Sequence, residues 1–127
     1  MLGDLEAGAS QHDSALEHFA EAVKMAQGAS RRDVLIDALI GRGRWSARQG
    51  RVGAAHEDLG NALSYAIRGN FRVYHVDARL ASALAFHAAG GIPRARSEAE
   101  YALQMSSEVS YFWGEMEADD FLESVNT

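Results

Sequence analysis

Metal chemistry is the first reading this sequence invites, because it carries five histidines, at His12, His18, His56, His75 and His87. Ligands on a helix converge on one ion when they recur at short helical spacing with a carboxylate in the set. These five form no His-x-x-x-His pair and adjoin no carboxylate motif, so they read as scattered surface residues and no metal site is expected. His56, Glu57 and Asp58 offer an acid and a base side by side. Consecutive helical residues point in different directions, however, and cannot meet at one substrate atom, so the trio reads as a solvated helix face. Ser14, Ser46, Ser64, Ser82, Ser97, Ser106 and Ser107 lack the strained Gly-x-Ser-x-Gly elbow, which leaves nucleophilic catalysis without a candidate. Gly41-Arg42-Gly43-Arg44 resembles a phosphate loop only superficially, since no Lys-Ser or Lys-Thr follows it. No catalytic residue and no cofactor is expected.

Binding chemistry has better material. Arg31, Arg32, Arg42, Arg44, Arg48 and Arg51 concentrate positive charge in one stretch, where bidentate contacts could receive a partner's carboxylates. Pairing with Asp33, Asp37, Glu57 and Asp58 nearby is the competing account and the favoured one. The chain as a whole has a net charge of −6 and no block of Lys or Arg. Phosphate backbones demand a concentrated basic surface, so direct nucleic-acid binding is not expected. There is no cysteine for a disulfide framework or a thiolate zinc site. No long apolar run or charged leader suggests a membrane partner or export, and a cytoplasmic location is the default expectation.

The elements that must position these groups are helices. Proline occurs once, β-branched residues are sparse, and Ala, Leu, Glu and Arg are plentiful, which gives an all-α class. A length of 127 residues suits one domain. Sliding the sequence on itself by forty residues aligns Ala15, Ala55 and Ala95, then Phe19, Leu59 and Ala99, then Ala22, Ala62 and Ala102, then Val23, Leu63 and Leu103. Within each copy these positions form one face of a helix. The same shift pairs Ile36 with Val76, Asp37 with Asp77, and Ile40 with Leu80, and it places small residues at Gly3, Gly43 and Ala83. A small side chain there lets two helices press together. Gly41 has no such explanation, and two glycines in one helix should cost about 1 kcal/mol each relative to alanine.

Punctuation recurs as well. Ser30, Asn70 and Ser110 are good N-caps, Ser30 and Asp33 approximate a capping box, and Ser10 to Asp13 marks a helix start in the first copy. Gly50 and Gly90 supply C-terminal signals, and Pro93 fits a first helical turn. The predicted helices are 2–9, 13–27, 31–49, 53–68, 71–89, 93–107 and 111–124. Trp45, Phe86 and Tyr101 should be mostly core, while Phe71, Tyr74 and Tyr111 sit at outer turns, to staple a unit or line a groove entrance.

Gly43, Ala55, Leu59 and Ala62, with Gly3, Ala15, Phe19 and Ala22 before them, resemble the tetratricopeptide repeat. That family wants a small residue late in helix A, an Ala early in helix B, a large apolar residue four positions on and another Ala three later. The third copy departs, with Ala83 for the glycine and Ala99 for the large residue, and the aromatic expected three residues after the small one appears only as Phe86. The common unit is 34 residues. A period of forty is similar to the long-helix variety in bacterial signalling and regulatory proteins.

The resemblance implies a right-handed superhelix of antiparallel helix pairs within a single domain spanning 1–127, with units near 1–29, 30–69 and 70–109 and a terminal helix at 110–127. It also implies a concave groove lined by the first helix of each unit. By position those groove residues are Asp37, Ile40, Arg44, Ala47 and Arg48, then Asp77, Leu80, Leu84, His87 and Ala88, with Asp4 and Ala7 continuing the row. A protein or peptide segment laid along the groove is the expected partner, and the expected role is the scaffold or sensor part of a larger bacterial regulator. A second function class, small-ligand sensing, would put a pocket between the long A helices around Tyr74, His87 and Arg44. The chain starts and stops out of phase with its repeat, as a piece of a longer repeat protein would, the favoured expectation, or a small protein whose open ends meet those of another copy, and an end of the array is expected to mediate some self-association. In the last helix the aromatics at Tyr111, Phe112 and Trp113 should pack inward while Glu115, Glu117, Asp119 and Asp120 face solvent.

Overall fold

Six helices account for nearly all of the computed structural model, which describes the backbone of residues 2–126 and the side chains of residues 14–125. They are α1 (Leu2–Gly28), α2 (Arg32–Arg48), α3 (Val52–Gly69), α4 (Arg72–Ala88), α5 (Ile92–Glu108) and α6 (Phe112–Asn126). Among the described residues there is no strand. Among the described residues no helix is long and apolar enough to cross a membrane.

The links between helices are one device used five times. The backbone turns through the left-handed region at Ser30, Gly50, Asn70, Gly90 and Ser110, every twentieth residue. At each turn the N–H of the next residue donates to a carbonyl five positions back, at 2.8 to 3.0 Å, as Arg31 does to Ala26 and Tyr111 to Ser106. The turning residue donates to the carbonyl three back, at 3.0 to 3.3 Å. This paired closure satisfies carbonyls that a helix end would otherwise leave bare. Ser30, Asn70 and Ser110 therefore end the preceding helix instead of capping the next one. α2 and α4 begin from Arg31 and Phe71 with no side-chain cap. The Ser30 and Asp33 box does not form, because Arg31 takes both Asp33 oxygens, at 3.1 and 3.0 Å. Pro93 does fall in the first turn of α5.

The break expected at Ser10 to Asp13 is absent, and α1 is continuous. Those four residues include neither glycine nor proline, so nothing stops the i→i−4 ladder there. The first unit is accordingly one long helix and not a pair. Gly3, Asp4, Glu6, Ala7 and His12 lie outside the residues whose side chains are described.

Each helix folds back on the one before it, since links this short leave no other direction. In addition α2 approaches α4 and α4 approaches α6. Among the described residues α1 and α3 do not approach one another, and neither do α3 and α5. The even-numbered helices thus form a contiguous layer and the odd-numbered ones back it. Ala55, Leu59, Ala62 and Ala66, one stripe of α3, are all buried. A Cβ on Gly43 would stand 2.6 Å from Leu59, which explains the small residue at that step. Gly41, unexplained by the repeat, abuts Phe19 of α1, where a Cβ would come within 3.1 Å. One core runs from α1 to α4 around Leu35, Ile36, Leu39 and Leu59, and a second joins α4, α5 and α6 around Val76, Leu80, Ala102 and Ala118.

The end of the array differs from expectation. Tyr111 packs inward, but Phe112 and Trp113 are 64% and 65% exposed and Met116 is 40% exposed. At 100° per residue these three fall on the arc of α6 opposite Gly114 and Ala118, which are buried, so helix geometry turns them outward. Tyr101 is likewise 44% exposed, lying against Arg79 and His75 and not in the core.

Candidate interaction surface

The layer of α2, α4 and α6 presents one polar row. Asp37, Asp77 and Glu117 stand forty residues apart, one on each helix, so the repeat register lines up three carboxylates. Arg44 Nη1 on α2 donates to Glu117 Oε1 on α6 at 3.1 Å and so spans α4 between them. Both side chains are partly solvated, which limits this pair to about 1 kcal/mol or less. Below the bridge the Tyr111 hydroxyl donates to Asp77 Oδ1 at 2.9 Å.

Burial pushes the Asp77 carboxyl above its ordinary range, against the downward pull of the Tyr111 hydrogen bond and the Arg44 charge. Burial, with the Asp77 contact adding to it, pushes Tyr111 up to about 12. Tyr74 is raised too, by burial first and then by the carboxylates of Asp37, Asp33 and Asp77. A phenol held so high stays protonated near neutrality and acts there as a hydrogen-bond donor, as it does to Asp77. The cluster can bind and orient charge through its carboxylates and the Arg44 guanidinium.

The expected groove residues divide into three groups. Asp37, Arg44 and Asp77 come together in the cluster. Arg48, His87 and Ala88 are exposed near the other end of the row, with the His87 ring edge-on to Phe121 at a centroid distance of 5.8 Å, and Leu84 is half-buried. Ile40 and Leu80, 6% and 2% exposed, and the buried Ala47 belong to the core. Their arc of the helix faces neighbouring helices, and they do not line a groove. Tyr74 and His87 are thirteen residues apart on α4, about 20 Å at 1.5 Å per residue, so they cannot share one small-molecule pocket. A cavity of about 300 Å³ lies elsewhere, at the α1–α2 turn among Ala26, Arg31, Arg32, Leu35 and Tyr65, where the Arg32 guanidinium stacks on Tyr65 at 4.7 Å.

Sequence reasoning placed Tyr111 at an outer turn, to staple a unit or line a groove entrance, and missed Glu117 and Phe121 as members of the row. The signal for Glu117 was available, since the shift that joins Asp37 to Asp77 reaches it at the next step. The arginine cluster resolves largely into pairs. Arg42 donates to both oxygens of the buried Asp58 at 2.7 and 2.8 Å, so Asp58 is part of the α2–α3 contact and not of a solvated face. His56 stacks on Phe86 at 4.3 Å. His75 is buried and accepts from Arg79 Nε at 3.3 Å, contrary to its reading as a surface residue, and its pKa is lowered by burial and then by that guanidinium. Among the described residues no three His, Cys, Asp or Glu side chains gather as metal ligands. No family model, no curated protein and no solved structure matches the chain.

Proposed function

We propose that this chain is a protein-interaction module of the tetratricopeptide kind. In this reading it is a right-handed superhelix that holds a peptide or protein segment along α2, α4 and α6, as the scaffold or sensor part of a larger bacterial regulator. The observation that carries the reading is the layer arrangement: among the described residues the even helices approach one another while the odd ones do not, which supports taking the even layer as the inner side of the array. That inner side bears Asp37, Asp77 and Glu117 in register, with Arg44 bridging two of the three helices. Neighbouring helices pack about 8–10 Å apart, so the carboxylates suit a segment that offers Lys or Arg side chains at that spacing. Binding takes the place of catalysis because no reactive constellation accompanies the row.

The test is a peptide array probed with the purified chain and with Asp37→Lys, an exposed position whose exchange leaves the core intact. Lysine- and arginine-bearing peptides bind the parent and lose at least about tenfold in affinity with the variant. Binding that ignores this variant but disappears with Glu57→Lys/Glu100→Lys, on the odd-numbered helices, refutes the groove.

A further inference from the structure

The cavity at the α1–α2 turn lies apart from the row of carboxylates, on the side of α2 that meets the odd-numbered helices. Its volume of about 300 Å³ suits one ring-sized body. Ala26 and Leu35, each 3% exposed, form its floor, and the half-buried ring of Tyr65 forms a wall. Gln27, Ser30 and Arg32 are exposed and stand at its rim. α1 supplies Ala26 and Gln27 and α3 supplies Tyr65, although these two helices do not approach one another among the described residues. The cavity is thus a gap between two odd helices with α2 behind it, enclosed by three consecutive helices.

The rim is positive. Arg31 is already occupied, since it donates to both oxygens of Asp33. Arg32 has no carboxylate within ion-pair distance among the described residues. Its guanidinium lies instead on the face of Tyr65, 4.7 Å from the ring centroid. Stacking of this kind orients the planar group while leaving its edge of N–H donors available to an acceptor. The same junction one unit along is built differently. His75 stands in place of Leu35, Ile67 in place of Gln27 and Met105 in place of Tyr65. His75 is spoken for by Arg79, and among the described residues no ring lies under the Arg72 guanidinium, the counterpart of Arg32. The stacked arginine over an apolar floor is therefore a property of this junction and not of the repeat.

We infer that this cavity is a binding site for a small organic carboxylate, separate from the groove. The apolar body of the ligand rests on Ala26, Leu35 and the Tyr65 ring, and its carboxylate meets the edge of the Arg32 guanidinium, with the Gln27 amide and the Ser30 hydroxyl as further donors at the rim. One uncommitted guanidinium matches one carboxylate in charge and in planar geometry, whereas a doubly charged phosphate would leave a charge uncompensated. The bound molecule touches both α1 and α3 and so ties together two helices that do not otherwise meet.

Titration of the ¹⁵N-labelled full chain with benzoate, phenylacetate and cyclohexanecarboxylate, followed by amide chemical shifts, tests this, with benzamide and benzylammonium as the neutral and cationic counterparts. At least one of the three carboxylates, at millimolar concentration, shifts the signals of Gln27, Ser30, Arg32 and Tyr65, and it binds at least about tenfold more tightly than either counterpart. Arg32→Gln removes the charge and Gln27→Glu sets a competing carboxylate at the rim, so each weakens that probe at least about tenfold. Both positions are exposed, and circular dichroism remains that of the parent. Asp37→Lys, on the groove, leaves the titration unchanged, so failure of the groove and failure of this site are read separately. The inference is overturned if none of the three carboxylates moves signals around the cavity, if benzamide binds as well as they do, or if Arg32→Gln binds them as the parent does.

Discussion

Replacing Gly43 by alanine sets two effects of opposite sign against each other. Alanine is the better helix former by about 1 kcal/mol. The added methyl, however, would lie 2.6 Å from Leu59 Cγ and Cδ2 and 3.4 Å from the Ala55 carbonyl oxygen, where relaxed carbon–carbon contacts need about 3.5–4.0 Å. Leu59 is buried and has no free space to swing into, so α2 and α3 must part or Leu59 must leave its rotamer. Overpacking of this kind costs about 1–3 kcal/mol. With the upper half of that range, as suits an overlap of roughly 1 Å, the variant is destabilised by about 1–2 kcal/mol. At about 2.1 cal/mol/K of unfolding entropy per residue, a loss of that size lowers Tm by about 5 °C for this chain. Gly60 provides the control, because it lies inside α3 with nothing within 4 Å of its would-be Cβ. Gly60→Ala should gain about 0.5–1 kcal/mol. Urea unfolding followed by circular dichroism measures both. If Gly43→Ala stabilises the protein as much as Gly60→Ala does, the close α2–α3 approach is not there, and the register argument built on it fails.

Asp58→Ala strands the partly buried Arg42 guanidinium and should cost about 2–3 kcal/mol, less than a fully buried pair because Arg42 retains some solvent; an unchanged urea midpoint would count against the pair. The raised pKa of Asp77 means that its ionisation opposes folding: the folded state holds the proton more tightly than the unfolded chain, so stability is lost as pH rises through the folded-state pKa. Asp77→Asn should therefore gain on the parent as pH is raised from about 4 to 7, and a gap that stays flat or narrows over that span refutes this. Ser30 holds a left-handed φ of 56° that costs an L-residue about 1 kcal/mol, so Ser30→Gly should raise Tm by a few degrees in differential scanning calorimetry, while Gly50→Ala, at φ 77°, should lower it.

The sequence carries the fold unevenly, for reasons that specific residues show. Ala55, Leu59 and Ala62 reveal helix and register together, because a buried stripe at fixed spacing is itself the physical constraint. The link residues reveal a boundary but not its side: Ser and Asn are good N-caps and also tolerate the left-handed turn, and only the φ values of Ser30, Asn70 and Ser110 decide between the two. Ser10 has the residue type and the twenty-residue phase of those turns, yet it stays helical, so type and spacing do not alone make a turn. At the surface, Asp37, Arg44 and Asp77 were legible through the repeat. Ile40 and Leu80 were misplaced because assigning a helix to the inner layer does not assign which arc of it faces outward. The bridge from Arg44 to Glu117 joins positions 73 apart in the chain, and no local pattern encodes a contact between helices that are not sequence neighbours.

The five identical turns bear on how quickly the chain finds its structure. Each is closed by hydrogen bonds within six residues, and each brings together helices that are consecutive in the chain. Few loops have to be closed before burial rewards them, because helix-to-helix contacts skip at most one intervening helix. Such local wiring favours assembly on the microsecond-to-millisecond scale, with any adjacent pair able to serve as the nucleus and growth proceeding outward in both directions.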